Sequence, residues 1–154
     1  MDGDLRGRRR SDYAYFKSYP TRWSDNDQYA HVNNSIYYHW FDSIVTTYLI
    51  DHCQLSPAES SHIYLVVSSF CHFFSPVSFP ATVNLGLRVN KLGKSSVAYE
   101  VGVFEEGRDV PSAVGGPTHV FVESSSRKSA AISEEMREGL AKLSFSAKGV
   151  QAKL

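Results

Sequence analysis

The chain has 154 residues, 42% of them hydrophobic and 21% charged, the balance of one ordinary globular domain. Lys plus Arg and Asp plus Glu number 16 each, so the formal net charge is zero and the basic excess of a nucleic-acid binder is missing. Two cysteines, Cys53 and Cys71, are too few for a disulfide framework, and no apolar run of 18 residues is present to span a membrane.

Residues 1–12 are polar and basic around Arg6-Gly7-Arg8-Arg9-Arg10, with nothing to bury, and read as a solvated, disordered arm. No secretory h-region opens the sequence, and Asp2 and Asp4 argue against a transit peptide, so a reducing cytoplasmic location is expected. The sequon Asn33-Asn34-Ser35 is then not expected to meet glycosylation machinery. Tyr13 to Trp23 is aromatic-rich and predicts a first strand, interrupted near Pro20. A polar turn, Ser24 to Gln28, follows, and then His31-Val32-Asn33-Asn34-Ser35, whose Asn and Ser residues suit a helix N-cap.

From Ile36 to about Asp51 the period changes. Ile36, Trp40, Ile44 and Tyr48 recur every four residues, and Tyr37, Phe41, Val45 and Leu49 repeat that spacing one position later. The opposite side carries His39, Asp42, Ser43, Thr46 and Thr47. So broad an apolar stripe predicts a helix of about 15 residues, roughly 22 Å long, largely enclosed by other structure.

Ile63 to Phe74 is an apolar-aromatic run with Ser68 and Ser69 inside it, and reads as a strand. Val83, Leu85, Leu87 and Val89 alternate with Asn84, Gly86, Arg88 and Asn90, and Val97, Tyr99, Val101 and Val103 alternate likewise after a turn at Gly93-Lys94-Ser95. A last strand covers Thr118 to Glu123, and Ser133 with Glu134 and Glu135 predicts a short capped helix. The expected domain runs from 13 to 143, with 144–154 as a tail. One strand, one long buried helix and then four antiparallel strands make an α+β layout, the helix packed on one sheet face.

The segment Asp25 to Tyr37 carries the chemistry. It sets acids, a His and two Asn in a loop leading straight into the buried helix. A helix N-terminus offers unpaired N–H groups to a carbonyl oxygen that gains negative charge. A carboxylate a few residues earlier could act as general base for water or as nucleophile. The same residues could equally be an Asp-rich turn with plain Asn caps. His52-Cys53 and Cys71-His72 lack zinc-ligand spacing, so no metal is expected, and no phosphate loop or dinucleotide fingerprint calls for a cofactor.

The run Asp27-Gln28-Tyr29-Ala30-His31-Val32-Asn33-Asn34-Ser35-Ile36-Tyr37 resembles the signature of the 4-hydroxybenzoyl-CoA thioesterase-like hotdog family: Asp, two variable residues, Gly-His-Val-Asn-Asn, a small residue, any residue and Tyr. Asn90 to Ser96 and Thr118 to Val122 also resemble that family in order, over roughly residues 13 to 143. The resemblance implies a hotdog fold, an antiparallel sheet wrapped around a long central helix, and hydrolysis of an acyl-CoA or acyl carrier protein thioester. It matches Asp27 to the catalytic carboxylate and the N–H groups around Asn34 and Ser35 to the carbonyl site. His31 and Asn33 match positions that shape the loop or orient water, while Asp25 reads as a structural acceptor. It further implies substrate contacts from Tyr37, Arg88, Lys91, Lys94 and Ser95, and a homo-oligomer, a dimer or a homotetramer. Ala30 departs from the family glycine, and Ala tolerates positive φ poorly, so a different turn or a degenerate site is expected there. A non-catalytic acyl-CoA binder and an enoyl-CoA hydratase or dehydratase are the alternatives. Trp40, Phe41, Phe70, Phe73 and Phe74 could line a fatty or an aromatic acyl pocket equally well.

Overall fold

A computed structural model describes residues 4–145. The elements are β1 (Tyr15–Pro20), α1 (Asn34–Cys53), β2 (His62–Phe73), β3 (Thr82–Leu92), β4 (Ser96–Glu105), β5 (Ala113–Glu123) and α2 (Glu134–Ala141). The five strands form one antiparallel sheet in the order β1-β3-β4-β5-β2, so β1 and β2 are its edges. The sheet wraps α1, whose Tyr37, Phe41, Ile44, Val45 and Leu49 are buried against Leu85, Leu87, Val101 and Val103. Burying each such side chain contributes about 1.5–3 kcal/mol, enough together to fix the helix on the sheet.

The α1 helix is longer than its apolar pattern. It starts two residues before Ile36 because Asn33 caps it, and it ends at Gln54, which takes φ 59° while the Leu55 N–H closes on the Leu49 carbonyl. Helix α2 starts, as expected, at the Ser133 cap, with Glu134 and Glu135 in its first turn. The last strand, expected from Thr118, extends back to Ala113 through Gly115-Gly116-Pro117.

Residues 4–12 are a correction to the expected disordered arm. They form two short 3-10 turns that lie on the outer face of the sheet. The Arg8 guanidinium donates twice to Glu100, at 2.8 and 2.9 Å, and Glu100 also accepts from Tyr13 Oη at 2.6 Å and from the Asn90 amide at 3.0 Å. Three donors thus hold a fully buried carboxylate below its usual range against the opposing pull of burial. Arg10 reaches the Arg108 and Glu105 carbonyls and the Asn84 side chain. Tyr13 lies over the cross-strand pair Gly86 and Gly102, where a Cβ would come within 2.8 and 2.7 Å of its side chain. Of the expected tail, Ser144 bridges Val89 and Phe145 lies under Arg88. Residues 146–154 of that tail, and residues 1–3 of the expected arm, fall outside the described residues.

On the inner face His119 is completely buried. It stacks on Tyr64 with ring centroids 4.0 Å apart, and neither imidazole nitrogen has a hydrogen-bond partner among the described residues. Burial without a partner pushes its pKa down to about 4.

Two outcomes follow from these buried groups. Arg8→Ala leaves Glu100 without its counter-charge and is expected to cost about 3 kcal/mol in chemical denaturation. Arg9→Ala, at an exposed residue whose side chain bonds only to its own arm, should cost less than about 0.5 kcal/mol. For His119, the unfolded chain binds a proton below pH 6.5 that the fold refuses until about pH 4. Stability attributable to this residue is therefore intact above pH 6.5 and declines as the pH falls from 6.5 to 4, by roughly 3 kcal/mol in all. Denaturation at pH 7.5 and 5 should show about 2 kcal/mol of this loss in the wild type and much less in His119→Phe.

Candidate active site

The loop between β1 and α1 is pinned at its start by Asp25. This buried carboxylate accepts the Arg22 N–H at 2.8 Å and the Arg22 guanidinium at 2.8 and 3.0 Å, and the Asp25 carbonyl accepts the Asn33 N–H at 2.9 Å. Asp25 is thus a structural acceptor. Its role differs from that of Asp27 through surroundings alone, since the two share one chemistry.

Asp27 is half-buried and faces a different set of partners. Its N–H donates to the His31 carbonyl and its carbonyl accepts from the Ala30 N–H, closing a tight turn. In the side chain, Oδ1 accepts the Tyr29 N–H at 2.8 Å and Oδ2 accepts the Asn33 amide at 3.1 Å. Asn33 in turn caps α1: its Oδ1 accepts the Ser35 N–H at 3.0 Å and the Ser35 hydroxyl at 2.7 Å. One side chain therefore ties the carboxylate to the start of the helix. The Asn34 N–H, first in the helix, has no intrahelical acceptor and supplies positive potential there.

Ala30 takes φ 64°, the left-handed conformation that the expectation of a different turn denied it. The turn survives because the Ala30 N–H bonds to Asp27, the Ala30 carbonyl accepts from Ser78 Oγ at 2.9 Å, and the Val32 N–H is held by the Val77 carbonyl at 2.8 Å.

Two concavities are lined by the candidate site residues. One, of about 290 Å³, is lined by His31, Asn34, Tyr37, Phe73, Phe74 and Ser75 among others. Its floor is buried Tyr37, edge-to-face with Phe73 at 4.9 Å. The other, of about 360 Å³, is lined by Trp23, Ser24, Asn26, Asp27, Gln28 and Ala30. Sequence reasoning placed Trp23 only at the end of a strand, and nothing in its local pattern marks it as a wall of the site. Phe41, considered as a pocket wall, is buried in the core, whereas Trp40, also largely buried, lines a further concavity with Tyr19, Arg22, Asp25, Ile36 and His39.

Asp27, His31, Asn33, Asn34, Ser35 and Tyr37 are brought together in this loop and first turn. Arg88, Lys91, Lys94 and Ser95 are not. Lys91 to Ser95 sit at the far end of β3, on the order of 30 Å from the Asp27 loop in the same chain at roughly 3.3 Å per strand residue. Their turn is held by Arg137, which donates to the Gly93 and Lys94 carbonyls. Arg88 points to the outer face, where it bonds the Asp12 carbonyl and the Asn90 side chain and covers Phe145. Alternation along β3 puts Arg88 opposite the helix, and that is why it cannot reach the site.

The cysteines do not supply a nucleophile. Burial pushes the Cys53 thiol up to about 11 and the Cys71 thiol up to about 12, so neither is a thiolate near neutral pH. Among the described residues no three His, Cys, Asp or Glu side chains gather as metal ligands, and no helix is long and apolar enough to cross a membrane.

A five-strand antiparallel sheet around one long helix, with a carboxylate loop at the helix N-terminus, is a hotdog domain of thioesterase type. The family model of the thioesterase superfamily matches residues 29–112, and the chain belongs to that superfamily. The match begins two residues after Asp27. The crystal structure of the PA5185 protein from Pseudomonas aeruginosa strain PAO1 is 48% identical, with a TM-score of 0.88 over 91% of this chain and 98% of that one. The fold is also shared with Slr0204, a 1,4-dihydroxy-2-naphthoyl-CoA thioesterase from Synechocystis, at 14% identity and TM-score 0.75 over 84% and 96% of the two chains. The protein SAV2348 from Staphylococcus aureus, solved in complex with CoA, is likewise 14% identical with TM-score 0.75 over 82% and 80%. No curated protein matches the chain.

The strain at Ala30 is directly testable. Ala30→Gly removes an unfavourable left-handed alanine, worth roughly 1–2 kcal/mol, and adds back up to about 1 kcal/mol of unfolded-chain entropy. The variant should melt at the same temperature as the wild type or a few degrees higher, whereas a Gly at an ordinary loop position would lower it.

Proposed function

We propose that the protein hydrolyses an acyl-CoA thioester to the free acid and CoA, with Asp27 as the reacting carboxylate. The observation that carries this reading is the Asp27–Asn33–helix linkage, which sets a carboxylate beside the N–H groups that open α1. The thioester carbonyl oxygen would accept from the Asn34 N–H, and negative charge developing on it would be stabilised by the helix start. Asp27 would then either take a proton from the attacking water or attack the carbonyl carbon itself. In both cases the thiolate of CoA leaves, a thiol being acidic enough to leave without a strong general acid, and on the second route water then cleaves the acyl–Asp27 anhydride to release the acid and restore the carboxylate. The acyl-binding alternative rested on a distorted turn at Ala30, and Ala30 adopts the turn a glycine would. The hydratase alternative needs a His and acid pair, whereas the His31 side chain is exposed and makes no hydrogen bond with Asp27 among the described residues.

We also propose that two copies pair along β2. This edge strand has 12 residues, one edge free of hydrogen-bonded strand neighbours among the described residues, and exposed Leu65, Val66, Val67, Phe70 and Phe73. So long an apolar edge left in water is an aggregation hazard that a second strand removes. The aromatic concavity at Phe73 and Phe74 ends on that edge, so a second copy would deepen it into an acyl pocket.

Asp27→Asn keeps the shape of the side chain and removes the base. Turnover of the best substrate from a panel of fatty and aryl acyl-CoAs is expected to fall roughly 100-fold or more, with little change in KM. Near-wild-type turnover in a folded Asp27→Asn protein would refute the assignment. Asp25→Asn should instead lower the melting temperature. Light scattering at micromolar concentration should give a dimer or a larger even assembly, and Val67→Lys should shift it towards monomer.

A further inference from the structure

Two aromatic side chains on either side of Asp27 are almost wholly in water, Trp23 at 78% and Tyr29 at 83% exposure. Trp23 is nevertheless fixed. It opens the 3-10 turn Trp23–Asp25, whose last residue is the buried, Arg22-bound Asp25. Its ring stands edge-to-face with Phe79 at 5.9 Å and 78°, and the Phe79 N–H is anchored on the Asn26 side-chain oxygen. A rigid indole held open to solvent forfeits the burial that a Trp ordinarily gains, and it does so on the wall of the concavity that contains Asp27.

We propose that Trp23 is the protein's contact for the pantetheine arm of the thioester. The inference rests on the thioesterase reading of the same site. The chemistry of the wall selects this occupant over the acyl group. Ser24, Asn26 and Gln28 alternate there with the indole and the Ala30 methyl, so hydrogen-bonding groups and apolar surface are interleaved. Asn26 spends its oxygen on Phe79, and its amide nitrogen has no acceptor among the described residues, which suits the carbonyl of an amide. A chain of amides separated by short apolar links matches that pattern. An acyl group has little to hydrogen-bond, and the three aromatic rings of the Tyr37, Phe73 and Phe74 concavity suit it better. With the carbonyl carbon at Asp27, the pantetheine arm would lie in the concavity that Asp27 lines and the acyl group in the one at Tyr37. Trp23 therefore acts on a part common to every substrate and sets affinity without regard to the acyl chain.

Tryptophan emission reads this directly, because the chain has two tryptophans and Trp40 is buried. Free CoA and pantetheine, each titrated into the full-length protein, should shift Trp23 emission and protect it from acrylamide, and ADP should not. The change should be absent in Trp23→Phe and retained in Asp27→Asn. Trp23→Ala should raise KM about 10-fold for short, long and aryl acyl-CoAs alike with kcat nearly unchanged, the scale of one lost aromatic contact. Trp23→Phe should recover most of that loss. A KM effect confined to one class of acyl group, with no response to CoA, would overturn the proposal in favour of an acyl contact. A response to ADP equal to that of CoA would assign Trp23 to the nucleotide instead. Emission that tracks protein concentration and ignores ligand would mean that a second copy covers the ring. If CoA and pantetheine report on Trp23 while no acyl-CoA is hydrolysed, the hydrolase reading fails and the arm contact stands.

Discussion

A helix enclosed by a sheet has to satisfy its first N–H groups where the chain enters the core, and here a single side chain meets that demand. Asn33 uses its oxygen on the Ser35 N–H and hydroxyl and its nitrogen on Asp27. The two halves of one amide thus couple a requirement of folding to the position of a carboxylate. Their magnitudes order the causes. An N-cap contributes about 1 kcal/mol, whereas five buried side chains on α1 contribute several times that. The core therefore sets the helix, the helix sets Asn33, and Asn33 sets Asp27. Moving the carboxylate away from the helix start would break the cap, so the site is built into the packing of the domain.

The elements legible in the sequence were those whose burial repeats. Alternation along Val83 to Val89 and Val97 to Val103 gave two strands and the faces they present, and the four-residue spacing from Ile36 to Leu49 gave the helix. The loop residues from Asp27 to Ser35 were legible through their resemblance to a family signature, since their order alone also fits a plain Asp-rich turn with Asn caps before an apolar helix. What was not legible depends on contacts far apart in sequence. Arg8 and Glu100 are 92 residues apart, and nothing local tells an arginine in a basic run that a buried carboxylate awaits it. The basic run was read as solvated because its charges outnumber its apolar groups, yet three of its arginines reach aromatic rings, a carboxylate or turn carbonyls. Arg88 and Lys94 were drawn towards the site by a resemblance in chain order, which carries no information about which end or face of a sheet a residue occupies.

The two faces of the sheet solve opposite problems with polar residues. On the outer face Glu100 is buried but fully served, by a guanidinium, a phenol and an amide, and the carboxylate is held ionised. On the inner face His119 has a stacked ring and no polar partner, and it is held neutral. The first arrangement stabilises a charge by pairing, and the second removes a charge by desolvation. The outer network has a structural consequence too, because it commits the N-terminal segment and Arg88 to covering the sheet. That face is covered largely by the chain's own residues, while the β2 edge carries a run of exposed apolar side chains from Leu65 to Phe73.

Ala30 shows how far the loop is determined by its surroundings. A left-handed alanine costs roughly 1–2 kcal/mol relative to a relaxed conformation. Against it stand three hydrogen bonds, from Ala30 to Asp27, from Ser78 to Ala30 and from Val32 to Val77, at about 1 kcal/mol each. The bonds outweigh the strain, so the turn forms without the glycine that would make it easy. The residue that departs from the family pattern changes the energy of the loop and leaves its shape alone. The Asp27 oxygens and the Asn34 N–H are positioned by bonds that the Ala30 side chain does not make, so the methyl group at this position leaves their geometry unchanged.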